Sequence, residues 1–155
     1  MRSLLIIMVL ATWQLSSQAQ TFHNPAGLFN PRPYAFSHAA LAPEGGQLLF
    51  IAGQSGAGAG HVYSPDFRVQ VRNSLAHLKL VLHEFDLKAE HILKITLLIV
   101  DHDAEKLKIW SEEAHQFWDP EKFPASTLIP VPRLASDGML FEIEAIAYKS
   151  TQKPK

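Results

Sequence analysis

Apolar and polar positions along the chain indicate two helices. Apolar residues recur at spacings of three and four from Phe67 to Phe85, which predicts one amphipathic helix, with Ser64 as a plausible N-cap and Pro65 at the first helical position. A second helix is predicted after Asp103, its N-cap. The first stripe consists of Phe67, Val71, Leu75, Leu78, Leu82 and Phe85, and the second of Ala104, Leu107, Trp110, Ala114 and Phe117. Each stripe is expected to pack on a sheet.

Two apolar runs read as strands. Gln47–Ala52 is short and ends at Gly53, which is consistent with a buried strand. Ile92–Val100 is longer and rich in β-branched residues, which is typical of a central strand. The lead-in Thr21–Pro33 is rich in Pro, Gly and Asn, and we expect little regular structure there.

The C-terminal third predicts two further strands. Ser126–Leu134 contains Pro130 and Pro132, which cannot donate ladder hydrogen bonds, so this strand is expected at a sheet edge or beside a cleft. The next run alternates from Phe141 to Ala145 and puts Glu142 on the face opposite its apolar residues, together with Glu144. The order strand, helix, strand, helix and two strands predicts an α+β domain with both helices on one face of the sheet.

Length and composition limit the choice of function. A chain of 155 residues with 47% hydrophobic and 19% charged residues can bury one core, which favours a single domain. The net charge is −1, and Lys and Arg are scattered. This distribution argues against nucleic acid and against an acidic membrane surface as partners.

The N-terminus resembles a secretory signal. Arg2 precedes the apolar run Leu4–Trp13, and Ser17-Gln18-Ala19 forms a small-x-small cleavage site before Gln20. We therefore predict a signal peptide at 1–19 and a mature domain at 20–155 that is periplasmic or secreted. The apolar run is short for a membrane span, and an uncleaved N-terminal anchor is the alternative. The chain has no Cys, which excludes disulfides and a lipoprotein anchor.

Several local patterns suggest chemistry but have simpler readings. Gly53–Gly60 lacks the Gly-Lys-Ser/Thr ending of a phosphate loop and reads as a turn or hairpin tip. Asp101-His102-Asp103 reads as a polar strand-to-helix junction rather than a metal cluster. His77 and His83 lie off the apolar stripe and read as solvated surface residues. No histidine spacing matches a ligand set, so we predict no metal and no cofactor.

Three segments carry a resemblance to a known family. Phe123–Ala147 reads FPASTLIPVPRLASDGMLFEIEAIA, Pro33–Leu41 reads PYAFSHAAL and Leu49–Gln54 reads LFIAGQ. Together they resemble the Rid family, the reactive intermediate deaminases also called YjgF proteins, over roughly residues 24–148. The resemblance implies a chorismate-mutase-like fold, a homotrimer and small-molecule clefts at the subunit interfaces.

The resemblance also implies a set of site residues. Glu142 matches the carboxylate that positions water and is the candidate catalytic residue. The candidate substrate-binding residues are Phe36, Ala52, Gly53, Gln54, Ser126 and Arg133. Three of them depart from the family pattern: Ser126 replaces an arginine that holds the carboxylate of a 2-imino acid, Phe36 replaces a tyrosine, and Ala52 replaces a serine. A hydroxyl cannot replace a planar, bidentate guanidinium.

Three hypotheses follow for function. The first is a divergent deaminase or hydrolase of imines, enamines or related small nitrogen compounds, with Glu142 activating water. The second is a trimer that binds a small molecule and has lost 2-imino acid deaminase activity. The third, a structural or chaperone-like protein without a ligand, is the least favoured. For Glu142 itself, the simpler reading is a solvated strand residue.

Overall fold

The structure, a computed structural model, describes residues 19–151. This part of the chain contains six strands and two α-helices. Apart from Ala19, the predicted signal peptide lies outside the described residues. The strands are β1 (Thr21–His23), β2 (Ala39–Leu41), β3 (Gln47–Ser55), β4 (Ile92–Val100), β5 (Ala125–Val131) and β6 (Phe141–Lys149). The helices are α1 (Phe67–Glu84) and α2 (Ala104–Phe117).

The larger sheet is mixed, with the strand order β3-β6-β4-β5. β6 pairs antiparallel with β3 and with β4, whereas β4 and β5 run parallel and are connected through α2. The predicted α+β class is confirmed, and so is the predicted order of elements. Ile92–Val100 is an internal strand, and the proline-containing β5 lies at an edge, as predicted.

The two faces of the larger sheet differ sharply. Phe141, Ile143 and Ala145 of β6 are buried on the face that α1 and α2 cover, where the ring of Trp110 stacks on Phe141 with centroids 5.6 Å apart. We call this the helix-covered face. The opposite, open face carries Leu48, Phe50, Lys94, Thr96, Leu98, Thr127, Ile129, Glu142 and Glu144. The prediction that both glutamates point away from the helices is therefore confirmed.

The helix ends show which capping predictions are right. Asp103 caps α2, because its Oδ1 accepts a hydrogen bond from the Lys106 backbone N–H at 2.8 Å. The prediction for α1 is wrong by two residues: Asp66 is the N-cap, and its Oδ1 accepts from the Arg68 backbone N–H at 2.8 Å. The Ser64 hydroxyl accepts from the Asp66 backbone N–H instead and stabilises the turn before the helix.

The remaining predictions for the two helices hold in part. Five of the six predicted stripe residues of α1 are buried, but Phe85 follows the helix and is 39% exposed. In α2, Trp110 and Ala114 are buried, Leu107 and Phe117 are half-buried, and Ala104 is exposed.

One strand prediction is wrong. Gln47–Ala52 was expected to be buried, but β3 is an edge strand in which Ile51 is 5% and Phe50 is 71% exposed. The reason is that the helices cover only one of its faces. The lead-in Thr21–Pro33 has little regular structure, as predicted: its one strand is the three-residue β1, which pairs with β2 and puts Phe22 opposite Ala40.

A buried carboxylate links the two helices. Glu113 of α2 is only 4% exposed and accepts hydrogen bonds from two arginines of α1, from Arg72 Nε at 2.8 Å and from Arg68 Nη1 at 2.7 Å. The hydrogen bond from Arg72, followed by that from Arg68, holds the pKa of Glu113 below its usual value against the opposing effect of burial. Within residues 19–151, neither of these helices nor any other is long and apolar enough to cross a membrane.

Candidate functional site

A cavity of about 700 Å³ opens on the helix-covered side of β5. Its walls are aromatic and aliphatic, with polar groups from a histidine and a serine. The lining residues are Phe29, Tyr34, Phe36, Leu97, His102, Leu107, Trp110, Ser126 and Leu128. An apolar cavity of this size with a few polar groups is typical of a small-molecule pocket. We call it the aromatic pocket.

The aromatic pocket brings two predicted site residues together from distant parts of the sequence. Ser37 forms a parallel bridge with Ala125, and its backbone N–H donates to the Pro124 carbonyl at 2.9 Å. This pairing attaches the segment that follows the lead-in to the start of β5, and Phe36 and Ser126 line the same pocket. Ala35, the residue before Phe36, is buried and has a left-handed backbone conformation with φ 58°. This conformation is costly for a residue with a Cβ.

Strand register sets the direction of Ser126. Ser126 lies opposite Ile95, and Leu128 lies opposite Leu97, in the parallel pair of β5 and β4. Ile95 and Leu97 are buried beneath the helices, so Ser126 and Leu128 share the helix-covered face. The Ser126 side chain therefore lies on the side of the sheet that borders the aromatic pocket.

A second group of predicted site residues lies at a β-bulge in β3. Ile51 pairs with Ala145 and Gln54 with Ile143, so Ala52 and Gly53 together span the single position opposite Glu144. The bulge is closed by a hydrogen bond from Gln54 Nε2 to the Ala52 carbonyl at 2.9 Å. Gly53 was predicted to open a turn; it lies within β3 instead.

The bulge also receives the candidate catalytic carboxylate. A Cβ built on Gly53 would lie 1.6 Å from Glu142 Oε1, so the carboxylate occupies the space that any larger residue at position 53 would fill. Glu142 is half-buried there and lies opposite Ser55 on the neighbouring strand. We call Ala52, Gly53, Gln54 and Glu142 the bulge group.

The aromatic pocket and the bulge group do not meet within one chain. Glu142 lies opposite Leu98 on the open face, whereas Ser126 is on the helix-covered face. Arg133, the remaining candidate, belongs to neither group: it follows β5, has a 71% exposed side chain and donates to Asp137 Oδ1 at 3.0 Å. One chain thus presents two separate groups of predicted site residues.

Two cations, Arg32 and Lys94, lie outside the aromatic pocket. Arg32 makes a salt bridge to Glu121 at 2.5 Å and does not line the pocket. None of the lining residues is Lys or Arg. Lys94 lies on the open face, where its Nζ donates to Thr127 Oγ1 at 2.7 Å. Burial lowers the pKa of Lys94, and the nearby charge of Glu144 opposes that shift.

His102 is the pocket residue that the sequence pattern missed. It lies at the junction of β4 and α2, as predicted for Asp101-His102-Asp103, and it is one of the residues that line the aromatic pocket. Its Nε2 is buried and has no hydrogen-bond partner among the described residues. A polar residue at a junction gives no local signal of this placement, because the pocket is built by distant segments.

The structure also shows the surroundings of His77 and His83. His77 was read as solvated, but it is half-buried and its Nδ1 lies 2.9 Å from the Ser55 carbonyl. His83 is exposed, as predicted. No cluster of three or more His, Cys, Asp or Glu suited to a metal ion occurs between residues 19 and 151.

Comparison with known proteins identifies the family. The family model of endoribonuclease L-PSP matches residues 31–149, and the chain belongs to this family. Among solved structures, the Rid-family protein YyfB from Yersinia pestis, a protein of unknown function, has 28% identity and a TM-score of 0.78. It aligns over 84% of this chain and 99% of its own.

Further structures agree with this assignment. Protein YjgH has 28% identity and a TM-score of 0.60, aligned over 87% of this chain and 100% of its own. NMB1025 from Neisseria meningitidis, a member of the YjgF protein family, has 21% identity and a TM-score of 0.58 over 80% of this chain and 92% of its own, a likeness of fold alone. No match was found among curated proteins. The fold is therefore that of the Rid and YjgF proteins.

Proposed function

We propose that this protein is an exported Rid-family homotrimer that binds a small molecule in a cleft between subunits. The observation that carries the proposal is the aromatic pocket, in which Phe36 and Ser126 line one cavity although they are far apart in the sequence. The cavity size and its mainly apolar walls suit a small organic ligand.

A trimer would complete the site. The aromatic pocket and the bulge group lie on opposite faces of the sheet, so the two halves can form one cleft only if they come from different subunits. The open face also exposes apolar side chains, with Leu48 at 51% and Phe50 at 71%. Contact with another subunit would remove this apolar surface from water.

The pocket favours binding over deamination of 2-imino acids. No lining residue carries the positive charge that a carboxylate ligand needs, and Arg32 and Arg133 are paired with Glu121 and Asp137. Losing a charged, bidentate interaction typically costs about 2–5 kcal/mol, or roughly thirty-fold to several thousand-fold in affinity.

Hydrolysis of a neutral imine or enamine is the second candidate function, and the position of Glu142 favours it. Its carboxylate is half-buried against Gly53 and could take a proton from water as that water attacks an imine carbon. The carbinolamine would then release ammonia and leave a carbonyl product. Such general-base assistance is worth about two to four orders of magnitude in rate.

Ammonia release is measured from freshly generated 2-iminobutanoate, which tests the loss of 2-imino acid deamination, and from neutral imines, which separates the two candidates. We expect almost no acceleration by the unmodified protein and a gain with Ser126→Arg, strengthened by Phe36→Tyr. Ser136→Arg, in an exposed turn, is the matched control and should gain nothing. Ammonia release at a high rate by the unmodified protein would contradict the proposal. Release from neutral imines that is abolished by Glu142→Gln would favour the hydrolase.

Assembly and export have their own measurements. Light scattering should give three times the subunit mass, and a monomer at all concentrations would contradict the trimer.

Mass spectrometry of the native protein should find an N-terminus close to Gln20. An intact Met1 in a cytoplasmic fraction would contradict export.

A further inference from the structure

Two hydroxyl groups lie beside Glu142 at the end of β3. Ser55 is directly opposite Glu142 in the antiparallel pair of β3 and β6, so both side chains project from the open face. The phenol of Tyr63 donates a hydrogen bond to Ser55 Oγ at 3.1 Å. All three residues are half-buried. They belong to one chain, so no second subunit is needed to bring these groups together.

The backbones of both hydroxyl residues are fixed by contacts within the chain. His77 of α1 donates from Nδ1 to the Ser55 carbonyl at 2.9 Å, since a carbonyl oxygen can only accept. Tyr63 forms an antiparallel bridge with Ala57, which closes the connection that follows β3. The two hydroxyl groups are therefore held in position in the free chain, as a preorganised site requires.

The Glu142 carboxylate and the Ser55 hydroxyl are neighbours that do not bond to each other. The carboxylate extends over Gly53, and no hydrogen bond joins it to Ser55 in the part of the chain that the structure describes. Cβ atoms of directly opposite residues are roughly 4.5–5.5 Å apart. One water can bridge two polar groups across such a span. Of the two lone pairs on Ser55 Oγ, Tyr63 uses one, so the other is available to that water.

We propose that Ser55, oriented by Tyr63, is a second polar group of the Glu142 site, and that Ser55 and Glu142 together hold one water. The inference rests on the proposed function, in which Glu142 is the base of the hydrolase candidate. The water donates one hydrogen bond to the carboxylate and the other to Ser55 Oγ. A lone pair of its oxygen is then left to attack an imine carbon.

The proposed arrangement gives a balanced first step. The water oxygen forms a bond to the imine carbon, the π pair of the C=N bond moves to nitrogen, and one water proton passes to the Glu142 carboxylate. Glu142 then gives this proton to the nitrogen, which yields the neutral carbinolamine. Ser55 orients the water and Tyr63 orients Ser55, so Tyr63 is a positioning residue.

Crystal structures of the mature protein test the water directly. We expect one water within hydrogen-bond distance of both Ser55 Oγ and a Glu142 carboxylate oxygen. Ser55→Ala should lose this water, and Ser55→Thr, which keeps the hydroxyl, should retain it. Tyr148→Phe is the control, because it removes a phenolic hydrogen bond to the Gly45 carbonyl at the far end of β6. The water should remain in that variant.

Hydrolysis of neutral imines separates positioning of the water from a structural role. Ser55→Ala should lower kcat about three- to ten-fold, the contribution of one neutral hydrogen bond, and should leave KM unchanged. Ser55→Thr should restore most of the rate, and Tyr63→Phe should lower kcat by less, about two- to three-fold. Glu142→Gln keeps a carbonyl acceptor but no base, so it should retain the water and lose hydrolysis. Tyr148→Phe should change neither constant.

The contrary outcomes are equally definite. The inference is overturned if no water contacts both oxygens, if the water persists in Ser55→Ala, or if that variant keeps the full kcat. Equal losses of kcat in Tyr63→Phe and Tyr148→Phe would overturn the positioning role of Tyr63. If the unmodified protein hydrolyses no neutral imine, the hydrolase candidate fails, whereas the water site stands or falls with the crystal structures.

Discussion

Both faces of the larger sheet carry apolar side chains, but these are buried on one face and exposed on the other. On the helix-covered face, Ile51, Trp110 and Phe141 are almost completely buried by the same chain. On the open face, Phe50 is 71% exposed although it is the direct neighbour of Ile51. The helix-covered face therefore holds the core of the chain, whereas the open face leaves apolar side chains exposed, and this is the surface that the proposed trimer would bury.

The largest effect should come from emptying the helix-covered face. Trp110→Ala removes a fully buried indole that packs on Phe141, and we expect a loss of about 3–5 kcal/mol in the free energy of unfolding. Urea denaturation followed by circular dichroism measures it. Leu80→Ala, in an exposed position of α1, should change the value by less than about 0.5 kcal/mol. Similar losses in the free energy of unfolding for Trp110→Ala and Leu80→Ala would show that the helix-covered face does not hold the core.

A charge on the open face should act on assembly instead. Phe50→Glu places a carboxylate on apolar surface that the proposed trimer buries, and we expect the dissociation constant to rise by roughly a hundred-fold, or about 3 kcal/mol. Light scattering over a dilution series measures it, and helix content by circular dichroism should not change. An oligomer as stable as that of the unmodified protein would show that the open face is not the contact surface.

The link between the helices should make stability sensitive to acid. The pKa of Glu113 is lowered in the folded state, so its contribution is fully present above the ordinary carboxyl pKa and is lost as the pH falls through the lowered one. Glu113→Gln should cost about 1–2 kcal/mol near neutral pH, and the difference should shrink in acid. Urea midpoints between neutral and acidic pH measure this, with Glu44→Gln as an exposed control. A constant difference at every pH would rule out the linkage.

The smallest effect on stability is expected at the bulge. In Gly53→Ala the new methyl group would displace the flexible end of Glu142, so the free energy of unfolding should change by less than about 1 kcal/mol. The NMR signal of the Glu142 carboxyl carbon should nevertheless shift, and any Glu142-dependent hydrolysis should fall. An unchanged signal would mean that the carboxylate does not rest on Gly53 in solution.

The sequence predicts the helix-covered face better than the open face. Period and capping residues identify α2 and the buried stripe of α1, because each pattern reports packing within the same chain. The burial of β3 was predicted wrongly, since an apolar run such as Leu48–Ala52 looks the same whether its cover comes from this chain or from another. Ser64 and Asp66 are both good N-cap residues, and only the turn between them decides where α1 begins.

The candidate site could be predicted only residue by residue. The family resemblance identified Phe36, Ser126 and Glu142, and the alternation of β6 predicted the face of Glu142. His102 gave no signal, because its environment is formed by the lead-in, β5 and α2 together. The face of Ser126 follows from the register of β5 against β4, which is not visible in the sequence.

The pairing of β3 with β6 has a consequence for the order of events during synthesis. Gln47 pairs with Lys149, so β3 cannot form its hydrogen bonds in the larger sheet until β6 has been synthesised. A growing chain can form α1 early, but it cannot close the sheet until the C-terminal strand has left the ribosome. Premature termination before residue 141 would leave β3 and β4 without the strand that joins them, and such a product should be cleared by proteolysis rather than accumulate as a smaller folded domain.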